Sequence, residues 1–131
     1  MNQKALVSAC LCGDKCRYDS KGLKIIPKIK KLKNIFKVCP EKLGGLPVPR
    51  KKSFIVNGNG RAVLQGCAKV VDEKGKDVTA NFLKGAQKVL NLVQKNGIRK
   101  AIMKARSPSC GKDGVTFALL KLNKIKIETV D

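Results

Sequence analysis

One stretch of the sequence decides the fold: Ala5-Leu6-Val7-Ser8-Ala9-Cys10. It is a short, continuous apolar run that stops at Gly13-Asp14, and it predicts a strand buried on both faces. Two similar apolar runs follow. One is Ile35–Val38, directly followed by Cys39, and the other is residues 98–103. Strands of this kind are typical of parallel sheets that are covered by helices.

Helical patterns lie between these runs. Residues 23–32 have apolar side chains at helical spacing with lysines between them, and Pro27 fits there near the first turn. A longer helix is predicted where Asp77 or Thr79 can cap the start and Gly97 can end it. Residues 114–122 indicate a short helix, and residues 125–130 a final strand.

The middle of the chain has a different pattern. Residues 44–50 are rich in glycine and proline and predict an irregular loop, while residues 54–57 and 62–71 are predicted to be extended, with a turn at 73–76. Strands alternating with helices indicate parallel pairs joined by right-handed crossovers. We therefore predict one α/β domain over residues 1–131, a Rossmann-like, mostly parallel sheet flanked by helices, with an extended or hairpin insertion.

The composition restricts the chemistry. The chain has 131 residues, 43% of them hydrophobic, so a core without disulfides is expected. No secretory signal or membrane span is visible, and we expect a cytoplasmic protein with no membrane partner. Histidine is absent, which excludes Ser-His-Asp and Cys-His catalysis and any zinc site that needs imidazole.

The net charge of +20 leaves nucleic-acid contact open, since Lys and Arg neutralise phosphates. Five of the 29 basic residues are arginine, the residue that grips phosphate in a fixed fork. Four Phe, one Tyr and no Trp offer little for stacking on bases. Contact with tRNA is therefore an alternative rather than the leading interpretation.

Six cysteines in a chain of this class indicate metal binding or catalysis, because intracellular thiols stay reduced. Cys10 ends the first predicted strand, Cys39 ends the second and Cys110 comes just after the third. Ligand sites of parallel sheets lie beyond the carboxyl ends of the strands, so these three cysteines are expected to meet there. For Cys67 the favoured interpretation is a small buried hydrophobic residue.

Thiolates suit zinc or iron–sulfur clusters. The paired knuckles of structural zinc sites are absent, as is the local run of cysteines found in ferredoxins. Three separated thiolates can instead hold a cubane cluster by three corners and leave one iron open. Glu41 and the hydroxyls of Ser107 and Ser109 lie next to these cysteines in sequence and are candidates for proton transfer or for holding a water.

Several segments resemble a small bacterial family, long classed as a domain of unknown function, whose characterised members are thiouracil desulfidases. The resemblance rests on four motifs that follow one another along the chain: Val7-Ser8-Ala9-Cys10 with Gly13 and Cys16-Arg17-Tyr18-Asp19; Cys39-Pro40-Glu41 with Gly44-Gly45-Leu46-Pro47 and Pro49-Arg50; Asp77-Val78-Thr79; and Ser107-Pro108-Ser109-Cys110-Gly111.

The resemblance implies a [4Fe-4S] cluster bound by Cys10, Cys39 and Cys110. It also implies that the open iron takes the sulfur of a thiocarbonyl and that water replaces this sulfur, which gives uracil and sulfide. Glu41 and Ser107 match the family's catalytic residues, whereas Cys16 is not a ligand in the family and is expected to pack. We add Ser8 and Ser109 as candidates for positioning a thiopyrimidine substrate.

Two alternatives stay open from the sequence. One is the same chemistry on a thiolated base in tRNA, which the net charge of +20 favours. The other is a non-enzymatic module that binds a metal or nucleic acid without turnover.

Overall fold

The computed structural model describes residues 4–131. Four strands form one parallel sheet: β1 (Ala5–Ser8), β2 (Ile35–Val38), β5 (Lys100–Lys104) and β6 (Lys126–Val130), in the order β2-β1-β5-β6. The other two, β3 (Ser53–Val56) and β4 (Lys69–Asp72), pair antiparallel as a separate hairpin. The α/β class and the hairpin insertion predicted from the sequence are both confirmed.

The helices are α1 (Pro27–Lys30), α2 (Pro40–Leu43), α3 (Gly60–Leu64), α4 (Thr79–Lys95) and α5 (Val115–Leu122), and a 3₁₀ turn (Ala9–Cys12) follows β1. Within residues 4–131, none of them is long and apolar enough to cross a membrane.

The central strand β1 is buried on both faces, as its apolar sequence predicts. Leu6 faces a core formed with Val89 and Val93 of α4, whereas its neighbour Val7 faces a second core with Leu11 and Ile29. Successive side chains of a strand point to opposite faces, so one short run supplies both cores. Helices α4 and α5 cover one face, and the segment between β1 and β2 covers the other.

One predicted element is wrong. Residues 62–71 were expected to be extended, but the first part of this run belongs to α3. The side chain of Asn59 accepts a hydrogen bond from the Ala62 N–H at 3.0 Å and so caps the helix, and Val63 is buried against Val115. The predicted helix at 23–32 is also shorter, since it begins at Pro27 and ends at Lys30.

Helix α2, which follows β2, is held against α4 by close backbone contact. A Cβ on Gly44 would overlap the Asn81 carbonyl, and a Cβ on Gly85 would overlap the Pro40 carbonyl. The side chain of Asn81 donates to the Gly44 carbonyl at 2.8 Å. These contacts fix the short helix that contains Glu41 on the longest helix of the fold.

Candidate active site

Three cysteines lie beyond the carboxyl ends of three neighbouring strands. Cys10 is in the 3₁₀ turn after β1, Cys39 directly follows β2, and Cys110 lies in the turn after β5. The chain runs from β1 to β2 on one side and then to β5 on the other side of β1. This reversal of strand order is where open α/β sheets bind their ligands.

The three thiols line one cavity of about 940 Å³. Small-molecule sites have volumes of roughly 300–1,000 Å³. All the candidate site residues from the sequence lie in this cavity wall: Cys10, Cys39, Cys110, Glu41, Ser8, Ser107 and Ser109.

The thiols of Cys10 and Cys110 are buried in the cavity wall. Burial raises the pKa of Cys10 to about 11, and nearby Cys39 raises it further, while Lys104 opposes the shift. Burial raises the pKa of Cys110 to about 12, against hydrogen bonds from Ser8 and Ser109. Both thiols are therefore protonated at neutral pH without a metal, and a bound metal displaces these protons.

The pKa of Cys39 is shifted in the opposite direction. The Cys39 thiol donates to the Cys16 carbonyl at 3.6 Å. A hydrogen bond with the Cys16 side chain, together with the Lys42 backbone N–H and the Arg50 guanidinium, lowers the pKa of Cys39. The same hydrogen bond raises the pKa of Cys16, which is buried and lines the cavity. Cys16 thus packs in the wall, as expected, and also contacts a candidate ligand.

The carboxylate of Glu41 is paired with Arg50. Nε and Nη2 of Arg50 each lie 2.7 Å from Oε2 of Glu41, and the two side chains are only 7% and 12% exposed. Nη1 of Arg50 donates to the carbonyls of Cys16 (3.0 Å) and Pro47 (3.1 Å). The arginine therefore ties the carboxylate to two segments of the cavity wall.

The serines form a hydrogen-bonded chain that ends on the same carboxylate. Ser107 Oγ accepts the backbone N–H groups of Ser109 (3.2 Å) and Cys110 (3.1 Å) and lies 3.1 Å from Ser109 Oγ. Ser109 Oγ lies 3.3 Å from Glu41 Oε1 and 3.7 Å from Cys110 Sγ. Since both lone pairs of Ser107 Oγ are occupied, its hydroxyl is left to act as a donor.

Ser8 is fully buried between β1 and β5. Its Oγ accepts the Lys104 backbone N–H at 2.9 Å and lies 3.9 Å from Met103 Sδ. Hydrogen bonding by the Ser8 hydroxyl also lowers the pKa of Cys110.

The cavity mouth is basic and contains an aromatic ring. Two cations lie near the Tyr18 ring, with Arg17 at 5.8 Å and Lys52 at 5.6 Å from its centroid. Arg106 pairs with Asp131 at 2.6 Å. The mouth thus offers a flat apolar surface flanked by positive charge.

A family model described as 2-thiouracil desulfurase matches residues 5–129. The chain belongs to the 2-thiouracil desulfurase family. The family expected from the sequence motifs is thereby confirmed, and with it the expectation of an enzyme.

Relatives of this family match along most of the chain. An uncharacterized protein of Bacillus subtilis (strain 168), YbbK, is 40% identical over 134 residues, covering 88% of this chain and 88% of its own. The solved structure of the [4Fe-4S]-dependent thiouracil desulfidase TudS superposes with a TM-score of 0.85 at 35% identity, covering 98% of this chain and 91% of that one.

The desulfurase site contains two contacts that sequence reasoning missed. Arg50 appears in a family motif, but its pairing with Glu41 depends on how the loop at 44–50 folds back, and this loop has no periodic pattern. The packing of Cys16 was expected, but its contact with Cys39 was missed for the same reason. Cys67, expected to be buried in a strand, is exposed, so that prediction is wrong.

The donor set suits a cluster better than a lone ion. No group of Cys, Asp or Glu side chains in the described part of the chain is arranged to hold a single metal ion. A single ion needs donors at about 2.0–2.3 Å from one point, whereas the thiolates of an iron–sulfur cluster bind different irons. All six cysteines are free thiols, and the three at the strand ends surround the cavity.

Proposed function

We propose that this chain removes sulfur from a thiolated pyrimidine of the 2- or 4-thiouracil type, giving uracil and sulfide, with a [4Fe-4S] cluster held by Cys10, Cys39 and Cys110. The observation that supports this most directly is the meeting of three free cysteines in one cavity with a carboxylate and two hydroxyls. The relationship to the [4Fe-4S]-dependent TudS structure is the second support.

When bound, the cluster supplies a soft iron that lacks a protein ligand and suits sulfur. The overall reaction is a hydrolysis, in which water provides the oxygen of the new carbonyl and the sulfur leaves as sulfide. No electron is gained or lost, so the protein residues need only bind the substrate, orient it and move protons.

Glu41 is the candidate base for the water. Arg50 occupies its Oε2, whereas Oε1 contacts only Ser109 among the described side chains, so Oε1 is the atom available to take a proton. Ser107 acts as a donor and orients a carbonyl or thiocarbonyl of the substrate. Ser109 lies between them, and Ser8 supports Cys110 from the sheet side.

The proposal is tested by anaerobic reconstitution with iron and sulfide, followed by incubation with 2-thiouracil and 4-thiouracil. We expect uracil and sulfide in equal amounts and no turnover by Cys39→Ser. A thiolated tRNA is the comparison substrate. Turnover of tRNA alone, falling steeply with salt, would favour the tRNA alternative. Iron uptake with no turnover of any thiolated base would contradict the enzymatic proposal.

A further inference from the structure

Arg50 is the most strongly held side chain of the cavity wall. Its guanidinium contacts Glu41, the Cys16 carbonyl and the Pro47 carbonyl, and its backbone N–H donates to the Tyr18 carbonyl at 2.8 Å. It therefore joins three separate segments: the loop after the 3₁₀ turn, helix α2 and the loop at 44–50.

These contacts fix the guanidinium independently of Glu41. Both hydrogens of Nη1 point to backbone carbonyls, at 3.0 Å for Cys16 and 3.1 Å for Pro47. A planar guanidinium fixed at one edge presents its other edge in one orientation. That edge, formed by Nε and Nη2, meets Glu41 Oε2.

The two oxygens of Glu41 therefore have different hydrogen-bond partners. Oε2 receives two donors from Arg50 at 2.7 Å each, which fills its lone pairs. Oε1 lies on the side of Ser109 at 3.3 Å. The Arg50 contacts therefore fix the plane of the carboxylate, with one oxygen bound to the guanidinium and the other directed at Ser109.

We propose that Arg50 is a positioning residue for Glu41: it binds Oε2 so that Oε1 faces the Ser107–Ser109 chain and the cavity. This inference rests on the proposed function, because it assigns Arg50 a part in the proton transfer that Glu41 performs. Arg50 acts through Glu41 and does not touch the substrate.

Lysine cannot replace this arginine. An ammonium group has one nitrogen on a flexible stem and no planar edge, so it cannot bind two carbonyls and hold one carboxylate oxygen in a fixed orientation. Arg50→Lys keeps the positive charge of the site but loses the orientation of Glu41. This makes it the informative variant, with Arg61→Lys, at an exposed position of helix α3, as the matched control.

The first test uses reduced, metal-free protein and needs no activity. Melting temperatures are measured for wild type, Arg50→Gln, Glu41→Gln and the double variant. Paired side chains are coupled, so the double variant should lose less than the sum of the two single losses. Additive losses would show that Arg50 does not hold Glu41 and would overturn the inference.

The second test uses the iron-loaded enzyme. For Arg50→Lys we expect kcat to fall about 10- to 100-fold, as for a misplaced catalytic group, while KM and iron per chain stay within about twofold of wild type. Arg61→Lys should match wild type. An unchanged kcat, or a fall that follows lost iron, would contradict the inference. If wild type itself shows no turnover, the proposed function fails, and the melting cycle still decides whether Arg50 holds Glu41.

Discussion

The carboxyl end of the parallel sheet and the antiparallel hairpin contain cysteines in opposite settings. Cys10 and Cys110 are buried, lie near other thiols and have pKa values shifted by their surroundings. Cys67, between α3 and β4 of the hairpin region, is exposed and does not line the cavity that contains Cys10 and Cys110.

The difference comes from topology rather than from local sequence. Parallel strands deliver the residues that follow them to one edge, so segments distant in the chain converge there. The hairpin joins strands that are neighbours in sequence. The connection between them buries Val63 of α3 in the core, but its residues 65–67 are exposed. The same residue type is therefore a candidate ligand in one region and an exposed thiol in the other.

The largest expected effect is on turnover, and it compares one cysteine from each region. Cys39→Ser should abolish desulfidation of thiouracil, because a serine hydroxyl is a poor ligand for soft iron. Cys67→Ser should retain wild-type turnover. The measurement is sulfide release by anaerobically reconstituted protein. Equal loss of turnover in both variants would remove the distinction between the sheet end and the hairpin.

The next effect concerns one glutamate from each region, Glu41 in the cavity wall and Glu73 near the hairpin. Glu41→Gln should lower kcat by about 10²–10⁴-fold, the usual contribution of a general base, with iron per chain unchanged. Glu73→Gln, in the exposed turn that follows β4, is the control and should not change kcat. Retention of full activity by Glu41→Gln would require a different base.

The effect of a substitution on stability should also depend on whether the residue is buried or exposed. Phe82 of α4 is buried where the hairpin region packs on the helices, whereas Phe54 of β3 is 46% exposed. Phe82→Ala should lower the free energy of unfolding by about 3–5 kcal/mol. Phe54→Ala should change it by roughly 0.5 kcal/mol or less. Urea denaturation of both variants measures the difference, and similar midpoints would contradict the assigned core.

The smallest effect lies at the exposed junction between the hairpin and α4. Hydrogen bonds from the Thr79 hydroxyl and backbone N–H lower the pKa of Asp77. A lowered pKa contributes stability above the unfolded value, and this contribution disappears as the pH falls. Asp77→Asn should thus melt slightly below wild type at pH 7, and the difference should begin to shrink as the pH falls below about 4, the unfolded value. A difference that does not shrink in acid would point to another cause.

The fold was predictable where burial leaves a pattern in the sequence. The run at Ala5–Ser8 is apolar throughout because both its faces are covered, and α4 shows helical spacing because one face packs on the sheet. Helix α3 was missed because five residues give less than two turns of periodicity. Its cap, Asn59, was the signal available in the sequence.

The part of the site that was predictable is the part formed by residues directly after the parallel strands. Cys10, Cys39 and Cys110 follow from that placement, and the family motifs point to Glu41 and Ser107. Arg50 did not follow, because its four contacts depend on the path of an irregular loop. Cys67 was predicted to be buried because it has apolar neighbours. Such neighbours occur both in buried strands and in exposed connections, so they did not distinguish the two.

The most direct test of the central claim is the iron and acid-labile sulfide content per chain after anaerobic reconstitution of wild type, Cys10→Ser, Cys39→Ser, Cys110→Ser and Cys67→Ser. One [4Fe-4S] cluster on three strand-end thiolates predicts about four irons in wild type and Cys67→Ser, and a large loss in each of the other three. Equal iron in all five proteins, or loss in Cys67→Ser, would contradict the proposal that these three cysteines hold the cluster.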